Sequence, residues 1–334
     1  VKPRAGALNT RLAMQSVERL QRTYLNALES SMGEPEWSRQ PDRLYAPQRY
    51  ILAMGGKRLR PVLALMGAEA VGAKAELALP AAHAVERFHN FSLIHDDIMD
   101  AAPLRRGQAT VHERWGVNTA ILSGDALFAL AFKALESAPK QVLPDLYRVF
   151  TQTALEVCEG QQWDMDFEHE DHVEEGAYIR MIRYKTSVLL GCALEMGVLS
   201  GGGSVEMAKA MYSFGLELGT SFQIHDDLLD AFGDPSKTGK QAGGDLIQGK
   251  KTLLWIELGR RSPEHIHEAL ALQGAERVEY LTEALETTGV RAHVEERRRV
   301  HFGLALEALK HAGTLGARTQ DLHELADWLF SRDS

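Results

Sequence analysis

Two short stretches of this 334-residue chain carry chemistry in their spacing. His95-Asp96-Asp97-Ile98-Met99-Asp100 and His225-Asp226-Asp227-Leu228-Leu229-Asp230 both read His-Asp-Asp-x-x-Asp, set among apolar neighbours such as Leu93, Ile94 and Ile224. On a helix, residues four apart lie one turn above each other, so Asp96 faces the same way as Asp100, and Asp226 the same way as Asp230. Carboxylates that close repel one another unless a cation stands between them. An all-oxygen donor set suits a hard cation, and Mg2+ is commonly held by a few carboxylates together with substrate phosphates. A single copy would equally suit a solvated helix face. Two copies in apolar surroundings point to a metal-bound phosphate.

Cationic residues fit the same chemistry. Gly56-Lys57-Arg58-Leu59-Arg60-Pro61 places three cations in four residues at an expected helix start, where free N–H groups and the dipole already favour anions, so Lys57 and Arg60 suit a phosphate. Taken alone, a basic loop is as readily just solvated. His89 lies seven residues before Asp96, two turns down the same face, with reason to donate to that phosphate. Arg105 and Arg106 follow Pro103, and their planar forks match phosphate oxygens. Lys185 and Thr186 sit amid Ile182, Val188 and Leu189, where a buried lysine needs an anionic partner. Gln223 stands about one turn before Asp226 and points roughly with the metal face. The run Phe232 to Asp245, rich in glycine and lysine, reads as a mobile loop in which Lys240, and then Lys250, can close over an anion, with Lys237 merely solvated.

The elements that must position these groups are helical. Apolar residues from Leu12 to Leu28 recur at helical spacing and predict a first helix from Leu8 to about Ser31. A short helix from Gln48 to Met54 stops at Gly55-Gly56, and Pro80 opens a long one reaching Ala102, which carries the first Asp cluster near its end. Further helices are expected over 118–138, 143–168, 175–199, 205–232 and 244–260, with shorter ones to Leu329. No stretch alternates with period two, so the fold class is all-α. No Pro/Gly/Ser-rich linker divides the chain, and residues 1–334 read as a single domain.

The formal charge of −9 and the lack of a basic stripe interleaved with aromatics exclude a general nucleic-acid surface. Cys158 and Cys192 are isolated and read as buried, reduced thiols of a cytoplasmic protein. The most apolar stretch, Ala120 to Ala134, contains Asp125 and Lys133 and is too short to span a bilayer, and no signal peptide is expected near Lys2, Arg4 and Arg11.

Taken in order, these motifs identify a resemblance. Gly55-Gly56-Lys57-Arg58-Leu59-Arg60-Pro61, Asp96 to Asp100 with Arg105-Arg106-Gly107, Gly160-Gln161 with Asp164, Lys185-Thr186, Phe222-Gln223 with Asp226 to Asp230, Gly239-Lys240 and Gly249-Lys250 together resemble the trans-isoprenyl diphosphate synthases, or polyprenyl synthetases, over nearly the whole chain. The resemblance implies an antiparallel helix bundle around a central cavity, usually a homodimer. It implies that Asp96, Asp97, Asp100, Asp226, Asp227 and Asp230 hold magnesium, and that Arg105, Lys185, Thr186, Gln223, Lys240 and Lys250 serve the allylic diphosphate. Isopentenyl diphosphate would fall to Lys57, Arg60, His89 and Arg106, while Lys185, Thr186 and Gln223 would face the reacting allylic cation. Product length would be set below the first Asp cluster, where the family pattern points to Phe91 and Ser92. Helix geometry places Phe88 and Ser92 nearer the metal face. An aromatic floor implies a short product, geranylgeranyl before farnesyl diphosphate.

Three other readings stay open. His95-Asp96 and His225-Asp226 suggest a metal phosphohydrolase of the His-Asp type, although adjacent helical residues point about 100° apart. Terpene cyclases share the first motif but not the second. A non-catalytic synthase subunit is the third, although it would tolerate the loss of carboxylates that are all present here.

Overall fold

The structure, a computed structural model, describes residues 5–32, 39–233 and 243–331. Helices α1 (Ala5–Met32), α2 (Asp42–Ala53), α3 (Leu59–Ala70) and α4 (Leu79–Met99) lead into a small hairpin, β1 (Leu104–Arg105) antiparallel to β2 (Gln108–Ala109). Next come α5 (Val111–Trp115), α6 (Val117–Ala134), α7 (Leu143–Glu168), α8 (Glu175–Ile182), a π-helical turn (Arg183–Ser187) and α9 (Val188–Ser200). The remainder is α10 (Val205–Phe232), α11 (Gly244–Gln248), α12 (Leu253–Arg261), α13 (Pro263–Leu270), α14 (Gly274–Thr287), α15 (Val290–Thr314) and α16 (Gln320–Phe330). Among the described residues the hairpin is the only strand structure, and the fold class is all-α as expected.

Local signals explain the helix ends that matter. Ser204 starts α10 by accepting the Met207 N–H on its hydroxyl at 3.2 Å. At the other end of the site, α4 closes with the Asp100 N–H on the Asp96 carbonyl at 2.8 Å and the Ala102 N–H on the Asp97 carbonyl at 2.9 Å, and Pro103 prevents continuation.

Three expected boundaries differ. The second helix begins at Asp42, earlier than Gln48, and runs through Pro47, which lies inside it. The expected helix 175–199 is interrupted by the π turn, which adds a residue to one turn and re-aims Lys185 and Thr186. The expected helix 244–260 breaks at Gly249, whose φ of 66° ends α11 in the left-handed conformation and leaves Lys250 between helices.

The chain groups into two compact units: Val1–Ala154, Cys192–Tyr212 and Ala312–Leu322 form one, and Leu155–Gly191, Ser213–His311 and His323–Ser334 the other. In the first, α4 packs most extensively against α6, and Ile94, Ala120 and Leu127 of these helices share a core cluster with Ile51 and Leu52 of α2 and Val111 of α5. The second is built on Tyr178, Ile224, Leu253, Leu281 and Val294 among others.

Two further expectations are corrected. Helical structure continues past both ends of the apolar run at 120–134, so Val117–Ser137 is 21 residues and is long and apolar enough to cross a membrane by length and composition. Its inner face is buried in the first unit, as in any core helix. Cys192 is buried as expected, whereas Cys158 lies on the exposed face of α7 beside Leu155 and Glu159.

Candidate active site

Both Asp repeats occupy the last turns of their helices, α4 and α10. A helix C-terminus is the negative end of the macrodipole, so three carboxylates there oppose the local field. Such a cluster is stabilised by an arriving cation, not by the helix itself.

In each repeat the middle carboxylate turns inward and the outer two reach solvent: Asp97 is 1% and Asp227 6% exposed. Asp97 accepts Arg105 Nε on both oxygens at 2.9 Å and Nη2 at 2.7 Å. Asp227 accepts the Tyr178 hydroxyl, and also Gln223 Nε2 at 3.2 Å. Burial pushes the Asp227 carboxyl up to about 7, against the pull of the Tyr178 bond. Burial, then the Asp227 charge, pushes the Tyr178 hydroxyl well above its ordinary range. Asp230 Oδ2 accepts the Asp245 N–H at 2.9 Å, joining the end of α10 to α11.

The cationic groups of the first unit converge as the sequence anticipates. Arg60 Nη1 lies 3.2 Å from His89 Nε2, and because a guanidinium only donates, that nitrogen accepts. Burial, followed by Arg60 and Arg106, holds His89 well below the ordinary histidine range, so the ring is neutral. Arg60 is itself lowered, by burial and by Arg106. Arg106 donates to the Gly55 carbonyl, and Lys57 is exposed on the same loop. Cation crowding of this kind is relieved by an anion.

In the second unit Lys185 Nζ is 2.5 Å from Asp164 Oδ2, and Lys250 Nζ is 4.0 Å from the same oxygen. Thr186 Oγ1 donates to Gln223 Oε1 at 3.3 Å, and Gln223 passes the chain on to Asp227. The close approach of α7 makes this possible: a Cβ on Gly160 would stand 2.2 Å from the Lys185 backbone nitrogen. Lys240, like Lys237, lies outside the described residues.

Below the first repeat, Ser92 Oγ donates to the His89 carbonyl at 2.9 Å. Phe88 is fully buried, ringed by Phe91, Phe128 and Phe150 at centroid distances of 5.4 to 5.6 Å. Phe91 is half-buried and packs on Phe128 at 5.0 Å and on His95 at 4.7 Å.

Sequence reading missed Tyr178 as the donor to Asp227 and Asp164 as the shared partner of Lys185 and Lys250. Asp164 was within reach, since a buried lysine requires an acid and Asp164 belongs to the Gly160-Gln161 motif. No spacing signal links Tyr178 to Asp227.

The histidines of the two repeats do not converge with their neighbouring carboxylates. His95 Nε2 turns to the Ile121 carbonyl at 3.3 Å and to Asp125 at 3.6 Å, and buried His225 sits with Leu218, Phe302 and Phe330. A metal phosphohydrolase therefore lacks its histidine ligands here. Glu175, Glu257 and His293 also bring ligand atoms within 4.8 Å of one another. Glu257 is already held by Arg260 at 2.7 Å and Arg261 at 2.5 Å, and Glu175 by Arg297 at 2.6 Å. Hydrogen bonds from Arg260, reinforced by Arg261, draw the Glu257 carboxyl down to about 2, the mark of an ionic network.

Comparison with known proteins agrees with this geometry. The polyprenyl synthetase family model matches residues 41–288. The chain is 40% identical over 296 residues to a geranylgeranyl pyrophosphate synthase of Geoglobus acetivorans, covering 88% of this chain and 92% of that one. It is 35% identical over 305 residues to a geranylfarnesyl diphosphate synthase of Aeropyrum pernix, covering 87% and 95%. A crystal structure of a geranylgeranyl pyrophosphate synthase superposes with a TM-score of 0.87 at 42% identity, over 95% of this chain and 99% of that one. Motif order, fold and full-length similarity lead to one assignment: the chain belongs to the polyprenyl synthetase family, the trans-isoprenyl diphosphate synthases.

Proposed function

We propose that the chain is a single catalytic domain that joins isopentenyl diphosphate head-to-tail to an allylic diphosphate and releases a short all-trans product, geranylgeranyl diphosphate before farnesyl or geranylfarnesyl diphosphate. The observation that carries this reading is the arrangement repeated at two helix C-termini, where the middle carboxylate is buried and held by a side-chain donor and the outer two are at least partly exposed.

Those outer carboxylates, Asp96, Asp100, Asp226 and Asp230, fit magnesium in donor type and placement, with Asp97 and Asp227 holding the two helix ends in shape. Bound magnesium supplies Lewis-acid stabilisation of a departing diphosphate. Arg105, Lys185 and Lys250, together with Lys240, bind the allylic diphosphate and share its charge as the carbon–oxygen bond breaks and the electron pair leaves with oxygen. Thr186 and Gln223 hold oxygen dipoles in a fixed chain beside that group. Lys57, Arg60, His89 and Arg106 hold isopentenyl diphosphate so that its double bond attacks the allylic carbon. One carbon–carbon bond forms, and the proton then leaves to the released diphosphate. Phe91 and Ser92, backed by Phe88 and Phe128, limit the product.

Val117, Ile121 and Leu122 form an exposed apolar face on α6 suited to a second copy of the chain, which supports a homodimer.

The test is incubation with magnesium, labelled isopentenyl diphosphate and, separately, dimethylallyl, geranyl or farnesyl diphosphate, followed by chromatography of the dephosphorylated products. Extension ending at geranylgeraniol is expected. Failure of every starter to extend overturns the assignment.

A further inference from the structure

The loop between α2 and α3 presents three cations, but they are not equivalent. Arg58 adopts φ 48° and ψ 34°, a left-handed conformation uncommon for a residue with a long side chain. Such a conformation persists where the surroundings over-determine it. Here the Arg58 guanidinium, 4% exposed, donates to the carboxylate of Glu86, which is 3% exposed, and to the Leu52 carbonyl. The same Glu86 oxygen accepts Asn90 Nδ2 at 3.0 Å. Arg58 is therefore buried out of reach of any soluble ligand, while Lys57 on one side is exposed and Arg60 on the other meets His89.

The rest of the loop is tied as tightly. Gln21 Nε2 of α1 donates to the Lys57 carbonyl at 2.5 Å, and Arg106 donates to the Gly55 carbonyl. Gly56 has φ 124°, and a Cβ there would stand 2.7 Å from the Arg106 guanidinium.

We propose that the buried Arg58–Glu86 pair is the positioning device of the isopentenyl diphosphate site, fixing the loop so that Lys57, Arg60 and Arg106 converge on one anion. This rests on the reading of those residues as that site. Glu86 touches no substrate and acts through the loop.

Two physical effects of Glu86 have opposite signs. Its negative charge is felt by Arg60 and Arg106, so removing it on electrostatic grounds alone strengthens the pull on an anion. Removing its grip on Arg58 frees the loop and weakens binding. In Glu86→Gln both effects act in opposition, and the sign of the change in binding tells which prevails. A double variant, Arg58→Met with Glu86→Leu, replaces the pair by apolar groups without stranding a buried charge, which folded proteins tolerate better than loss of one partner.

The experiment measures calorimetric binding of isopentenyl diphosphate, KM for each substrate and Tm, with Lys57→Ala as the control for the site. Both Glu86 variants are expected to raise the isopentenyl diphosphate KM and Kd by about tenfold or more, with the allylic KM within about twofold. Unchanged or tighter isopentenyl diphosphate binding overturns the proposal, as does a parallel rise in both KM values. Loss of folding in both variants also overturns it, because it assigns the pair to stability alone. If Lys57→Ala leaves isopentenyl diphosphate binding unaltered, the site reading itself fails. If Lys57→Ala weakens binding and the Glu86 variants do not, only the positioning role is lost.

Discussion

Asp164 Oδ2 lies 2.5 Å from Lys185 Nζ and 4.0 Å from Lys250 Nζ, so one carboxylate from α7 gathers two cations that are 65 residues apart in sequence. With Asp164→Asn both ammonium groups lose their anchor. Loss of an outer partner of this kind is expected to lower kcat/KM for the allylic diphosphate by about tenfold to a hundredfold. Steady-state kinetics with varied allylic substrate checks this, and an unchanged value removes Asp164 from the site.

Tyr178 donates to Asp227 from a fully buried position. Tyr178→Phe keeps the ring's packing and deletes only that bond, so the magnesium concentration for half-maximal activity is expected to rise about tenfold. Circular dichroism should show unchanged helix content. Asp226→Ala, by contrast, should abolish turnover at any magnesium concentration.

Chelation with EDTA should stop turnover without unfolding the chain, because both core clusters are built of apolar side chains and none of the six carboxylates belongs to them. Retention of the far-ultraviolet signal, with activity restored by added magnesium, is the expected result.

His83 packs on Tyr24 at 5.4 Å, and burial, followed by Arg87, lowers it to about 4. The folded chain therefore keeps this ring neutral where the unfolded chain, with an ordinary value near 6.5, takes up a proton. Stability is fully present above that value and is lost as pH falls from about 6.5 to about 4, by an amount on the order of 3 kcal/mol. Urea unfolding from pH 7 to 4 should show a shallower loss in His83→Gln than in the parent.

Phe91 is half-buried against Phe128, whereas Phe88 is closed into the core. Phe91→Ala should lengthen the product by at least one isoprene unit. Phe88→Ala should chiefly destabilise, by about 3–5 kcal/mol, as a core cavity does. Product chromatography and thermal melts distinguish the two.

Much of this was legible in the residues themselves. Helical periodicity, proline and glycine stops and the carboxylate spacing locate both repeats because each is a local signal. Lys185 with an acid follows from chemical need, since buried charge demands a partner. What the sequence hides is non-local or depends on backbone conformation. The π turn at 183–187 lies where α7 approaches closely at Gly160, a contact distant in sequence, and nothing in Arg183 to Ser187 marks it. That Phe88 is enclosed and Phe91 half-buried depends on the rings that α6 and α7 bring against them.

The two Asp repeats, alike in their letters, are anchored by unlike chemistry. Asp97 is neutralised by a guanidinium that stays charged at any physiological pH, whereas Asp227 rests on a phenol and an amide, and its own carboxyl titrates near neutrality. The middle carboxyl of the second helix end therefore changes charge with pH near neutrality. Two copies of one motif are thus set in different electrostatic surroundings, an ion pair at the α4 end and a phenol–amide hydrogen-bond pair at the α10 end.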